Sequence, residues 1–148
     1  MEIKEITQNK NNFMDILLIG DEQESMVNKY LEKGTLIVIY DKNELKSACV
    51  TLRINNETVE IKNIATYSQA RNRGYATALL EFIFNKYKGN TKTLILGTGE
   101  NEIILNFYKK RGFDESHRVK DFFIENYNHP IFENGKQLID MIYLKKEL

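Results

Sequence analysis

The sequence predicts an α/β (α+β) fold in which a mixed central β-sheet is flanked by about four helices. Three observations lead to this fold class. β-Prone runs fill most of residues 35–66, strand-then-helix units follow, and the C-terminal region is again β-rich. The chain has 148 residues and no proline-, glycine- or serine-rich linker, which predicts a single domain over residues 1–148.

The first part of the chain is predicted to contain two strands and two helices. Ile3 to Thr7 forms a short strand, and Met14 to Ile19 and Glu22 to Glu32 form helices. Gly34 is expected to end the second helix, because glycine readily takes the left-handed conformation at a helix C-terminus. Thr35 to Tyr40 is an almost unbroken β-prone run, which indicates a strand buried on both faces.

A β-hairpin is predicted next. Residues 48–54 alternate in the manner of a strand, and Val59 to Thr66 forms the returning strand. Asn55 and Asn56 should make the tight turn between them, because asparagine tolerates positive φ. Strict alternation divides the returning strand into two faces, which carry Glu60, Lys62, Ile64 and Thr66, and Ile61, Asn63 and Ala65.

Two strand–helix units and a β-rich tail complete the predicted fold. Tyr75 to Tyr87 has the spacing of an amphipathic helix, and residues 94–98 form the next strand. The helix that follows should end at Gly112 in the left-handed conformation, with Phe113 folding back onto the last turn. The tail is predicted to contain two strand regions and a loop: residues 116–124, 137–145 and 128–135.

The overall composition argues against several classes of partner. The formal net charge is zero, so no global field favours nucleic acid, and no apolar run reaches the ~18 residues of a membrane-spanning helix. The single cysteine, Cys49, suits a reducing compartment. Two histidines, His117 and His129, lack metal-ligand spacing. We therefore expect a cytoplasmic protein without nucleic-acid, membrane or metal partners.

The segment Arg71-Asn72-Arg73-Gly74-Tyr75-Ala76 carries the clearest chemical signal. It joins a predicted strand to a predicted helix, so the unpaired N–H groups of the first helical turn should point at solvent. These groups and the positive end of the helix dipole form an anion site, which Gly74 allows a phosphate to approach closely. Arg71 and Arg73 either add charge to this site or stay solvated. The segment predicts a diphosphate site.

Two segments match motifs of a known superfamily. Residues 71–76 fit [QR]-x-x-G-x-[GA], and residues 101–113 fit N-x-x-A-x-x-[FL]-Y-x-x-x-G-F, with Ile104 in place of the usual alanine. In this order and separation, the pair resembles the acyl-CoA-binding core of the GNAT superfamily of N-acyltransferases. The tail, over residues 121–141, is similar to a small uncharacterised bacterial GNAT subgroup. The resemblance implies the GNAT fold over nearly the whole chain.

The resemblance also implies an activity. A GNAT enzyme transfers an acyl group, here most simply acetyl, from acetyl-CoA (coenzyme A) as cosubstrate to a primary amine by direct attack in a ternary complex. A small-molecule amine is the expected acceptor, with a protein or peptide amine, or a non-catalytic acyl-CoA-binding module, as alternatives. Many relatives are dimers, which makes a homodimer one candidate assembly, and the sequence leaves the oligomeric state open. Asp121, Glu133 and Asp140 either line an acceptor pocket or are surface carboxylates.

Site residues follow from the same resemblance. Tyr108 would protonate the departing thiolate, and Glu60 would act as the base for the amine. The cofactor would contact eleven residues: Ile64, Ala65 and Thr66 along the pantetheine, Arg71, Asn72, Arg73, Gly74, Tyr75, Ala76 and Thr77 around the diphosphate, and Asn101 at the pantetheine.

These roles have structural alternatives that the sequence leaves open. Tyr108 is otherwise an ordinary core residue, and Glu60 a cross-strand partner of Arg53. Asn101 is otherwise a helix cap that needs no ligand. Cys49 as a covalent nucleophile is disfavoured, because nothing adjacent in the sequence would activate its thiol.

Overall fold

The computed structural model describes residues 1–148 and contains a seven-stranded mixed sheet and a separate two-stranded hairpin. The strands are β1 (Glu2–Ile6), β2 (Thr35–Asp41), β3 (Glu44–Arg53), β4 (Thr58–Thr66), β5 (Thr93–Gly99), β6 (Asp114–Val119), β7 (Phe132–Glu133), β8 (Lys136–Gln137) and β9 (Met141–Glu147). The large sheet has the order β1-β2-β3-β4-β5-β9-β6, and β7 pairs with β8. Only β4 and β5 are parallel neighbours, so the predicted mixed sheet is confirmed.

Helices cover both faces of this sheet. They are α1 (Met14–Gly20), α2 (Glu24–Val27), α3 (Tyr75–Tyr87), α4 (Glu102–Lys109) and α5 (Phe122–Asn126). Side chains of α3 and α4 share one buried cluster with the sheet, and side chains of α1 and α2 share another on the opposite face. None of these helices has the length and apolar character needed to cross a membrane.

The helices α3 and α4 match the sequence predictions closely. The apolar stripe of α3 is fully buried at Leu79, Leu80 and Ile83, which explains why this segment folds as an amphipathic helix. After α4, Gly112 takes a φ of 95°, and the Phe113 N–H donates to the Tyr108 carbonyl at 3.2 Å. Phe113 itself is buried, so the predicted left-handed helix ending is confirmed.

The predicted helix from Glu22 to Glu32 is wrong beyond its first turn. Only α2 is helical, and hydrogen-bonded turns continue to Gly34. The N–H groups of Lys29 and Tyr30 donate to the carbonyls three residues back, at Met26 and Val27, which breaks the α-helical repeat. The ammonium group of Lys10 donates to the carbonyls of Leu31, Glu32 and Gly34, at 3.2, 3.0 and 2.7 Å, and anchors the end of this segment. Gly34 is not left-handed. A Cβ there would lie 2.8 Å from the Tyr30 carbonyl oxygen, so close packing requires the glycine.

The two hairpin turns of the large sheet use different devices. Lys42 and Asn43, between β2 and β3, have φ values of 53° and 62°, as a type I′ turn requires. The predicted turn between β3 and β4 is present, but it has no positive φ. Instead, the Asn55 Oδ1 atom accepts hydrogen bonds from the N–H groups of Glu57 and Thr58, both at 2.9 Å.

The C-terminal tail is less β-rich than predicted. The strand expected over residues 116–124 ends at Val119, and α5 begins after Asp121, which has a φ of 58°. The Asp121 N–H donates to the Asp140 carboxylate at 2.8 Å, and this bond redirects the chain. The predicted loop over residues 128–135 contains β7 and the Asn134-Gly135 turn of the small hairpin.

A β-bulge in β4 changes which side chains share a face. Asn63 pairs with Val50 and Ile61 pairs with Thr51, so Lys62 is an extra residue in β4. As a result, Asn63 and Ala65 lie on the α1–α2 side together with Glu60. Ile61 and Ile64 lie against the cluster on the α3 side. The prediction that Glu60 and Ile64 share a face is therefore wrong, because strict alternation fails at the bulge.

Candidate functional site

The main cavity opens where β4 and β5 separate. Their pairing runs from Thr58–Thr93 to Ile61–Leu96 and then stops, although β4 continues to Thr66. Beyond this point the two strands frame a cleft of about 720 Å³ that α3 and α4 also border. Because β5 no longer pairs with it, this edge of β4 can pair with an extended ligand. Ile64, Ala65 and Thr66 all line the cleft, and their predicted contact with pantetheine stays a prediction.

The N-terminus of α3 points its free backbone donors at this cleft. The N–H groups of Tyr75, Ala76 and Thr77 have no partner within the chain, and no side chain caps the helix. Gly74 has a φ of 86°, and a Cβ there would meet nothing within 4 Å. Unpaired donors at the positive end of a thirteen-residue helix attract an anion. The structure therefore contains the geometry that the loop sequence predicts.

Six of the seven predicted loop residues line the cleft: Arg71, Asn72, Gly74, Tyr75, Ala76 and Thr77. Arg73 is exposed and does not. The side chain of Tyr75 anchors the loop, because its hydroxyl donates to Asp41 at 2.7 Å. Thr77 Oγ1 accepts a hydrogen bond from the Arg111 guanidinium at 2.9 Å, which ties α3 to the end of α4.

Arg111 is a cleft residue that the sequence reasoning did not place in the site. Its guanidinium stacks on the Phe107 ring at 3.7 Å and donates to the Phe107 carbonyl at 2.8 Å. In the sequence it looked only like a cation at a helix C-terminus, where such residues are common. Its position beside Thr77 brings a fixed positive charge to the cleft.

Tyr108 lies in the wall of the cleft with a free hydroxyl. Its ring packs edge-to-face against Phe107 and Phe113, with centroids 5.2 and 5.7 Å away, and only 7% of the residue is exposed. No group of the chain hydrogen-bonds its hydroxyl. Burial, with smaller contributions from Cys49 and Glu133, raises the pKa of the Tyr108 phenol well above its usual value. The phenol therefore keeps its proton.

Asn101 caps the N-terminus of α4, which is the structural alternative that the sequence left open. Its Oδ1 accepts from the N–H groups of Ile103 and Ile104 at 3.0 and 3.3 Å, and its Nδ2 donates to Glu133 at 2.9 Å. Both ends of the side chain are thus used within the protein, and Asn101 is not among the residues that line the cleft. Its predicted contact with pantetheine stays a prediction.

A second cavity of about 250 Å³ lies on the α1–α2 side of the sheet. Glu60 and Asp21 supply its carboxylates. Its lining also includes the side chains of Lys29, Lys33, Tyr30, Phe122, Tyr127 and Tyr143. The two cavities share Ile61, Lys62 and Gly97, so they meet at the point where β4 and β5 separate.

Glu60 is 8% exposed and points into the smaller cavity. Its Oε2 atom lies 3.3 Å from the Lys62 ammonium, which also sits 5.7 Å from the centre of the Tyr30 ring. The alternative pairing with Arg53 does not occur, since Arg53 bonds to Thr91 at 2.8 Å. A buried carboxylate at the junction of two cavities can accept a proton from a bound ligand.

Asp21 organises the far wall of the smaller cavity. The hydroxyls of Tyr30 and Tyr127 donate to its two oxygens at 2.9 and 2.6 Å. Asn63 Nδ2 donates to the Tyr30 hydroxyl at 3.1 Å and to the Leu17 carbonyl at 2.8 Å. Burial raises the pKa of Asp21, against the opposing effect of the tyrosine bonds. No sequence pattern pointed to this network.

The other candidate residues lie elsewhere. Asp140 pairs with Arg118 at 2.7 Å and accepts from the Asp121 N–H, and Glu133 borders the large cleft. None of these three carboxylates lines the smaller cavity. Cys49 is fully buried, and burial raises the pKa of its thiol, so it is not an activated nucleophile.

Known proteins share this architecture over the full chain. A model of the acetyltransferase (GNAT) domain matches residues 32–115, which is more than half of the sequence. The chain is also 34% identical over 143 residues to the uncharacterized N-acetyltransferase YvbK of Bacillus subtilis, covering 95% of this chain and 92% of that protein. The chain belongs to the GNAT acetyltransferase family. The predicted family and enzyme class are confirmed.

Two crystal structures resemble this GNAT acetyltransferase closely. A GNAT family acetyltransferase from Elizabethkingia anophelis with acetyl-CoA bound is 36% identical, with a TM-score of 0.93 over 99% of this chain and 97% of that one. A Bacillus subtilis acetyltransferase in complex with CoA is 34% identical, with a TM-score of 0.89 over 99% of this chain and 98% of that one.

Proposed function

We propose that this GNAT acetyltransferase transfers an acetyl group from acetyl-CoA to a primary amine of a small molecule, by direct attack in a ternary complex. Acetyl-CoA is the cosubstrate, consistent with the cofactor complexes of the two similar structures. The observation that carries the proposal is the meeting of two cavities at Ile61, Lys62 and Gly97. A donor in one cavity and an acceptor in the other can react there without a covalent enzyme intermediate.

The large cleft suits acetyl-CoA at both ends. The diphosphate binds the free N–H groups of Tyr75, Ala76 and Thr77, and Arg71 adds charge. The pantetheine extends along the open edge of β4. Arg111 is a further cation for the cofactor, whereas Arg73 contributes only as a nearby charge.

Glu60 and Tyr108 divide the proton transfers between them. An alkylammonium has a pKa of about 10.4, so Glu60 first removes a proton to free the lone pair. The amine nitrogen then bonds to the thioester carbon, the carbon–sulfur bond breaks, and the nitrogen gives its remaining extra proton to water. Glu60 and Tyr108 return to their starting protonation states by exchange with solvent after the transfer. Tyr108 donates its proton to the departing thiolate of CoA. The wall position of Tyr108 and the buried position of Glu60 support these roles.

The size of the acceptor cavity favours a small molecule. It encloses about 250 Å³, and Asp21 links two of its walls through Tyr30 and Tyr127. A folded protein surface would have to displace those contacts, although an extended peptide that presents one amine at the cavity mouth is the alternative acceptor.

Thermal unfolding with and without acetyl-CoA tests the cofactor, and CoA release with an amine panel tests the acceptor. A ligand at a hundred times its Kd stabilises the fold by ~2.7 kcal/mol, which raises Tm by several degrees. We expect a Tm increase and turnover with at least one small amine. Turnover with peptides alone would replace the proposed acceptor, and binding without turnover on any amine would contradict it.

A further inference from the structure

The smaller cavity carries charges of both signs, and among its charged groups only Lys29 and Lys33 have no hydrogen-bond or ion-pair partner in the chain. Asp21 is engaged by two tyrosine hydroxyls, and Glu60 by the Lys62 ammonium. Lys29 and Lys33 also line the cavity, and neither has a carboxylate within ion-pair distance. Free positive charge therefore remains at the exposed rim of a cavity whose buried interior holds a paired carboxylate.

The segment that carries these lysines is held in place. Hydrogen-bonded turns run from α2 to Gly34, and the Lys10 ammonium binds three carbonyls in residues 31–34. Tyr30, between the two lysines in sequence, is 4% exposed and fixed by Asp21 and Asn63. The backbone that presents Lys29 and Lys33 is therefore anchored, even though their side chains reach solvent.

Aromatic rings form the remaining wall of the cavity. Tyr143 stacks on His117 with centroids 4.8 Å apart, and Phe122 contacts Tyr127 edge-to-face. These surfaces suit an apolar or aromatic body rather than a highly hydrated one. A polycation would meet Lys29, Lys33 and Lys62 together, and both carboxylates in the cavity are already held by Lys62 or by tyrosine hydroxyls.

We infer that the acceptor is a primary amine that also carries an anionic group, on an apolar or aromatic body. Its amine faces Glu60 at the junction of the cavities, and its anionic group faces Lys29 and Lys33. Amino acids and aminophosphonates have this charge pattern, whereas polyamines and amino sugars do not. The inference rests on the proposed function and selects among its substrates.

Matched pairs of amines test this selection. Each pair contains an amine with an anionic group and the same amine without it: phenylalanine and phenethylamine, an ω-amino acid and the alkylamine of equal length, and an aminophosphonate and its parent amine. Spermidine and kanamycin serve as polycations. We expect kcat/KM to be about tenfold higher for the anionic member of at least one pair, as two exposed ion pairs would give. The preferred pair also identifies the anion.

Lysine variants test the residues. In the double variant Lys29→Met, Lys33→Met, KM for the anionic member should rise about tenfold and KM for its partner should not. Lys88→Met, at an exposed lysine after α3 that lines neither cavity, should change neither constant. The Tm shift with acetyl-CoA should be the same in all three proteins, which verifies the fold and the cofactor site.

Three results would overturn the inference, and they differ in whether they also contradict the proposed function. Equal or better turnover of the amines without an anion, or of the polycations, would refute it while leaving the proposed function in place. An anion preference that survives the double variant would refute the role of Lys29 and Lys33. Failure to acetylate any small amine would remove the proposed function as well.

Discussion

The two cavities that meet at the site are built in different ways. The anion-binding end of the large cleft comes from one continuous segment, residues 71–77, and its donors are the backbone N–H groups of Tyr75, Ala76 and Thr77. The smaller cavity is assembled from side chains in five separate parts of the chain, and Asp21 and Tyr127, which share a 2.6 Å hydrogen bond, are 106 residues apart. The cofactor end therefore depends on local backbone geometry, and the acceptor end on tertiary packing.

This difference predicts that substitutions will separate cofactor binding from acceptor binding. A change in the α3 loop should affect acetyl-CoA regardless of the amine used. A change in the smaller cavity should affect the amine and leave the cofactor bound. The substitutions below test that separation.

Gly74→Asp should have the largest effect, the complete loss of the Tm increase with acetyl-CoA. The substitution places a negative charge and a side chain where the diphosphate binds. Gly89→Asp is a matched control, because Gly89 has a similar φ of 92°, equally open surroundings and a position at the other end of α3. Both variants should lose about 1 kcal/mol to backbone strain. Wild-type acetyl-CoA affinity in Gly74→Asp would contradict the loop assignment.

Tyr108→Phe should lower kcat about a hundredfold by removing the acid that protonates the thiolate. The Tyr108 hydroxyl has no partner in the chain, so the acetyl-CoA Kd and the free energy of unfolding should stay near wild type. Because burial raises the pKa of Tyr108, the phenol stays protonated even above pH ~10. At any pH up to ~10, deprotonation of this acid should therefore not reduce the wild-type kcat. A kcat that the substitution leaves unchanged would exclude Tyr108 from the chemistry.

Glu60→Gln should lower kcat/KM about tenfold at neutral pH. The deficit should shrink as pH rises toward the amine pKa of ~10.4, where the acceptor loses its proton without help. Glu57→Gln is the control, since Glu57 is an exposed residue just before β4 whose carboxylate makes only a 3.7 Å contact with Lys92. A pH–rate profile identical to that of the wild type would remove Glu60 from the mechanism.

Tyr127→Phe should have the smallest effect. It removes one hydrogen bond to Asp21 and should cost about 1 kcal/mol in the free energy of unfolding, measured by urea denaturation. KM for the amine should rise a few-fold because one cavity wall loosens, while the Kd of acetyl-CoA should stay constant. If both constants changed together, the two cavities would not be separable.

Much of the fold was predictable because its signals are local. The bounds of α3 follow from its apolar spacing, and the end of α4 follows from Gly112 and Phe113. The failures lie where distant groups bind the chain. In the segment where the helix predicted over residues 22–32 fails, Lys10 binds the carbonyls of residues 31–34 from more than twenty residues away, and the Asp140 carboxylate binds the tail at Asp121.

For the site too, features with a local sequence signal were predictable and features assembled from distant residues were not. The anion loop and the wall position of Tyr108 followed from motifs, although Arg73 and Asn101 lie outside the lining of the cleft. The Asp21 network could not be predicted, because a lone aspartate and two distant tyrosines form no pattern in a single sequence. Glu60 was identified as a candidate base, but the prediction placed it on the opposite face of β4 from Asn63. Strict alternation cannot predict the bulge at Lys62, which puts both side chains on one face.

The bulge in β4 also determines which mutations this enzyme can accumulate. A substitution at Lys62 changes one side chain, whereas its deletion would restore an unbroken two-residue repeat. Because Thr51 pairs with Ile61 and Val50 pairs with Asn63, that deletion would leave the other residues of β4 on their present faces and would remove only the local bend and the ion pair of Lys62 with Glu60. Random libraries should therefore recover folded proteins with a single-codon deletion at position 62 more readily than at the buried neighbours Ile61 and Asn63, so this strand carries one residue more than its pairing requires.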